Sequence, residues 1–391
     1  MAEYINIRGQ SIEVVASDPA NPTLGQIWYN STSNTLKGEG LQAAAWATGG
    51  SLGTGRYSRA TFGTQTDAVI AGGSPPVTTN VTEKYDGSSW TSSGNINTTR
   101  RALTGCGVST AGLAFGGTNS GSTTQTATEE FNGSSWTSVT GLPQAVRNQY
   151  GAGIQTAAFA AGGTLDPPPA SITNTYEYNG TNWSTGGAMG TGRSFGQACG
   201  ILTAGLAVGG ADTSTGIATP AADTVEHYDG TSWTAGGTVP VSWAGRGTGG
   251  IQTSAIIFGG TDGGSPFPAS GQSQSDEYNG STWTTVASLP SGRIYPSGAG
   301  NTSADNVRAM GGRLASPAGT PTAEHNIYDG TVWSTQPSIT TARQQAGITV
   351  YSSTPEAMIT GGNDPGGSFL TATEEFTGET TALNLKTLTT S

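Results

Sequence analysis

A Gly-Gly pair closing a short run of small or apolar residues occurs seven times in this chain, and the rest of the sequence is arranged around it. The pairs are Gly72-Gly73, Gly116-Gly117, Gly162-Gly163, Gly209-Gly210, Gly259-Gly260, Gly311-Gly312 and Gly361-Gly362, at intervals of 44 to 52 residues. An aromatic residue follows each pair: Tyr85, Phe131, Tyr178, Tyr228, Tyr278, Tyr328 and Phe376. Five residues beyond the first six come Trp90, Trp136, Trp183, Trp233, Trp283 and Trp333, whereas the seventh copy, "EEFTGETTAL", has no tryptophan. A period of this length means that one supersecondary unit is written repeatedly and that neighbouring copies bury each other.

Each copy reads as strands and turns. "AVIAGG", "GLAFGG" and "AIIFGG" are short apolar stretches stopped by glycine, as buried strands are. "YDGSSW" and "YNGSTW" place Asp-Gly or Asn-Gly between two aromatic-bearing strands, a strong hairpin signal. No helical period persists. The missing tryptophan is found near the start: "WATGGSLGTGR" at Trp46–Arg56 matches "WTSSGNINTTR" at Trp90–Arg100 in length and ends. Trp46 is then the outer-strand tryptophan of the seventh copy, and the N-terminal strand closes a ring that leaves no exposed sheet edge. The tryptophans are expected to fill the wedges between neighbouring copies.

Composition agrees with many short strands joined by small-residue turns. Glycine takes 62 of the 391 positions, yet nine tryptophans and twelve tyrosines at regular spacing argue against disorder. The net charge is −11 and the lysines are Lys37, Lys84 and Lys386 alone. No basic stripe is available for phosphate neutralisation, so nucleic acid is not an expected partner. No apolar run approaches the roughly 20 residues that span a bilayer, so no membrane insertion is expected. The start, "MAEYINIRGQ", lacks a signal-peptide pattern, which points to synthesis in a cytoplasm.

Charged residues also recur. Arg56, Arg100 or Arg101, Arg147, Arg193, Arg246, Arg293 and Arg343 precede each inner strand, and Glu83, Glu129, Glu226, Asp276 and Glu374 sit two residues before the aromatic. Their expected role is structural pairing, because a buried guanidinium needs acceptors and carboxylates fit its fork; a ligand-binding ring is the alternative. No catalytic, metal or cofactor set is expected. His227 and His325 fall in different copies, no carboxylate pair stands out from the repeat, and the glycine strings precede no helix. Cys106 and Cys199 occupy equivalent positions two copies apart, beyond the separation of about 4.4–6.8 Å that a disulfide spans. The segments after Gly-Gly vary in length and composition while the strands stay fixed, which is where a rigid scaffold places recognition. On them Phe267 and Phe369 are candidate apolar anchors, and Asp166, Asp262 and Asp364 candidate polar contacts.

Gly-Gly, then Tyr, then Trp at this period resembles the kelch repeat over about Trp46 to Phe376. That resemblance implies an all-β, seven-bladed β-propeller, here closed by an N-terminal strand and preceded by a small hairpin segment. The expected division is residues 1–42 as hairpin segment and 43–391 as propeller. The hairpin segment, "GQIWYNSTSNTLKG", is similar to leader hairpins of structural proteins of tailed phages of marine bacteria, and "EEFNGSSWTSVTGLPQAVR" is similar to the kelch-type repeats of those virion proteins. The likeness implies a virion component in a tail-fibre, adhesin or particle-decoration role, present in multiple copies. Other virion proteins would bind residues 1–42, and a host glycan or protein would meet the loop face. A bacterial kelch-like lectin or interaction module is the alternative, and a carbohydrate-active enzyme a third reading.

Overall fold

The computed structural model describes residues 12–57, 59–74, 77–166, 170–212, 219–220, 224–241, 245–261, 271–299, 303–314, 319–349 and 356–386. The chain divides into two compact units, one of residues 1–45 and 377–391 and the other of Trp46–Phe376.

In the smaller unit, Ile27–Asn30 and Thr35–Gln42 form the expected hairpin, with Tyr29 opposite Leu36. Glu13–Val15 adds to one side in parallel, and Thr380–Lys386 adds antiparallel to the other. This corrects the expected boundary, which carried the repeat domain to residue 391. After Phe376 there is no further repeat to build, and the last described strand completes the leader's sheet instead. Asp18 ties the unit together: its carboxylate accepts from Trp28 Nε1 (3.0 Å), Asn30 Nδ2 (2.7 Å) and Lys37 Nζ (2.6 Å). These donors, Lys37 first, lower the Asp18 pKa to about 2.

The larger unit is all-β and β-propeller-like. Among the described residues it holds seven four-stranded sheets. Sheet one is Ala60–Gly63, Ala68–Ala71, Thr82–Tyr85 and Trp90–Ser92; each of the next five repeats its order. Sheet seven is built from Gly347–Thr349, Ala357–Thr360 and Thr373–Thr377, with Ala45–Gly49 as its outer strand. Trp46 therefore does lie beside Phe376, their rings 5.3 Å apart. The inner strands of sheets one to seven begin at Ala60, Thr104, Tyr150, Gln197, Gly247, Ser297 and Gly347. Each touches the next, and that of sheet seven touches that of sheet one.

Three repeated interactions explain why the copies look as they do. The first is the glycine pair. Gly73 N donates to Arg100 O, Gly117 N to Val146 O, Gly163 N to Arg193 O, Gly260 N to Arg293 O, Gly312 N to Arg343 O and Gly362 N to Arg56 O. Each bond joins one sheet to the segment leading into the next. Both glycines of a pair have positive φ, 64° and 102° at Gly72 and Gly73, and a Cβ on Gly72 would sit 2.8 Å from Arg100 O. No other residue fits that approach.

The second is the buried ion pair. Arg100 Nη2 meets Glu129 at 3.0 Å, Arg193 meets Glu226 at 2.6 Å, Arg343 meets Glu374 at 2.5 Å, and Arg56 pairs with Glu83. The carboxylates also accept from backbone of the crossing segment, as Glu129 does from Asn97 N (2.5 Å). One expectation about the arginines needs correction, and one pair is reached from a shifted position. In copy three the position four residues before the inner strand is Val146, and Arg147 beside it turns instead to Asp166. The carboxylate position there is Tyr176, which shares an apolar cluster with Val146. A buried ion pair has been exchanged as a unit for an apolar one, a swap that is commonly neutral or stabilising. In copy five Arg246 lies immediately before its inner strand, three residues late, yet still reaches Asp276 at 2.6 Å.

The third links the aromatics. Five Trp indoles reach back to the preceding sheet: Trp136 to Thr82 (2.9 Å), Trp183 to Thr128 (2.9 Å), Trp233 to Thr175 (2.7 Å), Trp333 to Ser275 (2.9 Å) and Trp90 to Thr373 (2.7 Å), whereas Trp283 meets Val225 at that position and its Nε1 has no partner. The tyrosines do the same: Tyr178 donates to Glu130 (2.8 Å), Tyr328 to Glu277 (3.0 Å) and Tyr228 to Glu177, and Tyr278 pairs with His227 Nε2 (2.5 Å). At the seam Tyr85 lies beside Glu375; burial first, then that carboxylate, raises its pKa to about 12. Where the preceding copy offers Lys84 or Ile327 at the acceptor position, the aromatic is Phe131 or Phe376. A hydroxyl appears only where an acceptor awaits it.

The seam between sheets six and seven departs from this pattern. His325, fully buried, stands where five other copies use threonine or serine and copy four uses Val225, and Trp46 Nε1 bonds Pro337 O (2.8 Å) instead. Burial, then Arg308, lowers the His325 pKa to about 3.

Removing one partner of a buried pair strands the other charge. Glu129→Ala is expected to destabilise by about 3–5 kcal/mol in urea unfolding, while the double change Arg100→Val with Glu129→Tyr, copying Val146 and Tyr176, recovers most of that loss. His325 is neutral in the fold but takes a proton in the unfolded chain below its ordinary value near 6.5. Its contribution is therefore present above that pH and lost progressively as pH falls towards 3, with a slope of about 1.4 kcal/mol per pH unit. A pH series of unfolding midpoints should show a shallower acid limb for His325→Thr than for the wild type.

Candidate recognition face

At one end of every sheet the chain passes from an outer strand to the next inner strand and from the second strand to the third. The two crossings are tied together at one address. The residue after the arginine position bridges to the residue after Gly-Gly: Tyr57 to Ser74, Arg101 to Thr118, Arg147 to Thr164, Ser194 to Ala211 and Gln344 to Asn363. In sheet six Ile294 pairs with Arg313 in the same way. Beyond these anchors the loops go their own ways. Thr164–Leu165 pairs with Ala170–Ser171, and Ala211–Asp212 with Thr219–Pro220, as miniature hairpins. In the seventh loop Asp364 Oδ1 accepts from Ser368 N (2.8 Å), and Asn363 bridges Phe369.

Two residues after the arginine position, and two before the inner strand, the backbone turns left-handed in six copies among the described residues. Ala102, Asn148, Phe195, Tyr295 and Gln345 have φ of 52°, 52°, 59°, 54° and 52°, and Gly245 holds the place in copy five with 66°. This conformation costs a non-glycine residue about 1–2 kcal/mol, and bulky residues are rare in it. Neighbouring turns bond directly: Asn148 N to Ala102 O (3.2 Å), Phe195 N to Asn148 O (3.3 Å) and Tyr295 N to Gly245 O (2.8 Å). The result is an inner rim with constant backbone and different side chains. Phe195 is 52 % exposed. Tyr295 lies over Gly245, where a Cβ would come within 2.8 Å of its ring. Between sheets four and five, a shallow cleft opens at this rim, lined by Phe195, Gln197, Gly245, Arg246, Thr248 and Ile257 among others.

Of the candidates from sequence, Phe369 stacks on Tyr57 (5.5 Å, 6° between planes), Asp166 is tied to Arg147, and Asp364 is committed to its own loop. Phe267 and Asp262 lie outside the described residues. The structure thus brings Phe369 to the base of its loop, and adds a rim that sequence reasoning missed. The letters gave little signal for it: Ala102, Asn148, Phe195, Tyr295 and Gln345 differ from copy to copy, and so do the residues on either side of them. His227 is committed to Tyr278, and burial lowers its pKa. Cys106 and Cys199 are free thiols, with burial raising each pKa to about 12. Among the described residues no group of three or more His, Cys, Asp and Glu gathers as metal ligands, and no helix is long and apolar enough to cross a membrane.

No protein-family model matches the chain, and no curated protein matches it. Among solved structures, one titled "Structure of YjhT" is similar over 74 % of this chain and 99 % of its own, with TM-score 0.54 and 15 % identity. A likeness at that identity is one of fold.

Phe195 has an exposed side chain on a strained backbone. Phe195→Asn is expected to leave the fold intact and to raise stability by up to about 1 kcal/mol, because asparagine tolerates the left-handed region; thermal or urea unfolding measures it.

Proposed function

We propose that Trp46–Phe376 is a seven-bladed, kelch-like propeller closed by the strand Ala45–Gly49, and that the protein is a non-catalytic virion component of a phage. In this reading the smaller unit docks to the particle and the loop-and-rim face reads a host surface. One observation carries it: the hydrogen bonds that hold each sheet are repeated, while the side chains on one rim and the loops anchored beside it differ from copy to copy. A scaffold selected only to be rigid has no need of Phe and Tyr in left-handed backbone. Strain retained at variable, exposed positions is what a recognition surface requires.

The docking role draws on the smaller unit's own surface. Val14 and Ile27 share one face of its sheet with Tyr29 and are 67 % and 43 % exposed, unusual for a segment with no partner. The resemblance of this hairpin to phage leader segments supports placing the partner on a virion. A bacterial lectin or protein-interaction module remains the alternative, favoured by the same rim if the leader binds nothing on a particle.

Removing residues 1–42 and 379–391 together, which spares the Trp46 strand, is expected to leave a folded propeller that still binds host cells but no longer joins purified particles. Assembly by the truncated chain would reject the docking role. Replacing Phe195 and Phe369 by serine in the isolated protein should weaken cell binding by roughly thirtyfold per lost anchor, measured away from the avidity of many copies. Unchanged binding after exchange of both the rim residues and the loops would reject the recognition face.

A further inference from the structure

We propose that a small anion of the halide class binds between sheets six and seven, at the guanidinium of Arg308. Arg308 lies on the second strand of sheet six, Val307–Met310, and is 1 % exposed. In the corresponding place the other six sheets carry Val69, Leu113, Phe159, Leu206, Ile256 and Met358, as their pairing with the third strand shows. A permanent cation has been put into a slot that is otherwise apolar.

The other buried arginines are provided for. Arg56, Arg100, Arg193, Arg246 and Arg343 each meet a carboxylate, and Arg293 meets Asn326 with Glu324 at 3.9 Å. At Arg308 none of the three guanidinium nitrogens has a hydrogen-bond partner. Its contact is the ring of Phe376, 5.0 Å away. Burial lowers its pKa to about 10, which leaves it charged at neutral pH. The neighbouring groups on this seam are His325, held neutral, and the ring of Trp46. A ring face offsets part of the desolvation of a guanidinium but supplies no acceptor for its five N–H groups. A compact anion supplies both charge and acceptor.

The surroundings select for size. The His325, Phe376 and Trp46 rings pack against one another, centroids 4.5 to 5.3 Å apart, a dense aromatic wall that favours the smallest anion. The consequence is local: this seam receives the closing strand, and the anion would fasten it.

The test is thermal unfolding of the full-length protein in sodium gluconate, with chloride or bromide exchanged in at constant ionic strength. The expected result is a saturable rise in midpoint of ~2 °C or more. Arg308→Met, which installs the residue found at Met358, should remove the halide dependence. Should that variant fail to fold, chloride-35 line broadening by the wild-type protein, displaced by bromide, is the second measurement. Equal midpoints in gluconate and chloride with no broadening would overturn the proposal and leave the Phe376 ring as the sole partner. An equal halide effect in Arg308→Met would overturn it as well, as a general salt effect.

Discussion

The hydrogen bond from the second glycine to the arginine-position carbonyl one sheet on, present at six of the seven pairs among the described residues, governs how closely the sheets can approach. It demands two consecutive residues in left-handed backbone, and it brings a carbonyl within contact distance of the first of them. Once that approach is made, the arginine side chain has nowhere to go but inward, under its own sheet. The buried carboxylate is the answer to that constraint. It neutralises the guanidinium and in the same stroke accepts from the backbone of the crossing segment. Copy three shows that the requirement is for a filled space and not for charge, because Val146 and Tyr176 occupy the same two places.

Much of this was legible in the sequence. The period, the strand order, the outer-strand role of Trp46 and the arginine–carboxylate pairing all follow from spacing and side-chain chemistry. What was not legible has specific causes. Arg147 and Val146 are adjacent, and only the carbonyl to which Gly117 N donates shows which of them holds the position. Arg246 is displaced by three residues, a shift that a pattern of arginines absorbs without notice. The strand Thr380–Lys386 carries no repeat signal, so its partner could not be read from periodicity.

One regularity was present in the letters and needed the structure to be seen. Tyrosine or phenylalanine at the aromatic position depends on the residue before the aromatic in the preceding copy, across a sheet boundary. Comparing aligned copies down a column hides this, since the dependence runs diagonally from one copy to the next. The same diagonal explains the candidate site. Rim residues touch the next rim residue through backbone, so their side chains are freed from packing with their own copy and can vary. Strain is tolerated there because the bonds on either side are repeated around the unit.

The outer strand of sheet seven is written near residue 45, and the three strands it joins are written after residue 346. On a ribosome, sheets one to six can therefore form in order as they emerge, each against the last, by contacts of short sequence separation. Sheet seven cannot. Its first-made strand waits through the synthesis of some three hundred residues with its tryptophan unpartnered, and sheet one waits equally long for its neighbour. Folding is thus split in time into a local, sequential phase and a single late event of very high contact order, the slow step of such a topology. In that interval the strand Ala45–Gly49 and the inner strand of sheet one both lack the neighbours they have in the finished fold, and how long this lasts decides whether two nascent copies exchange strands.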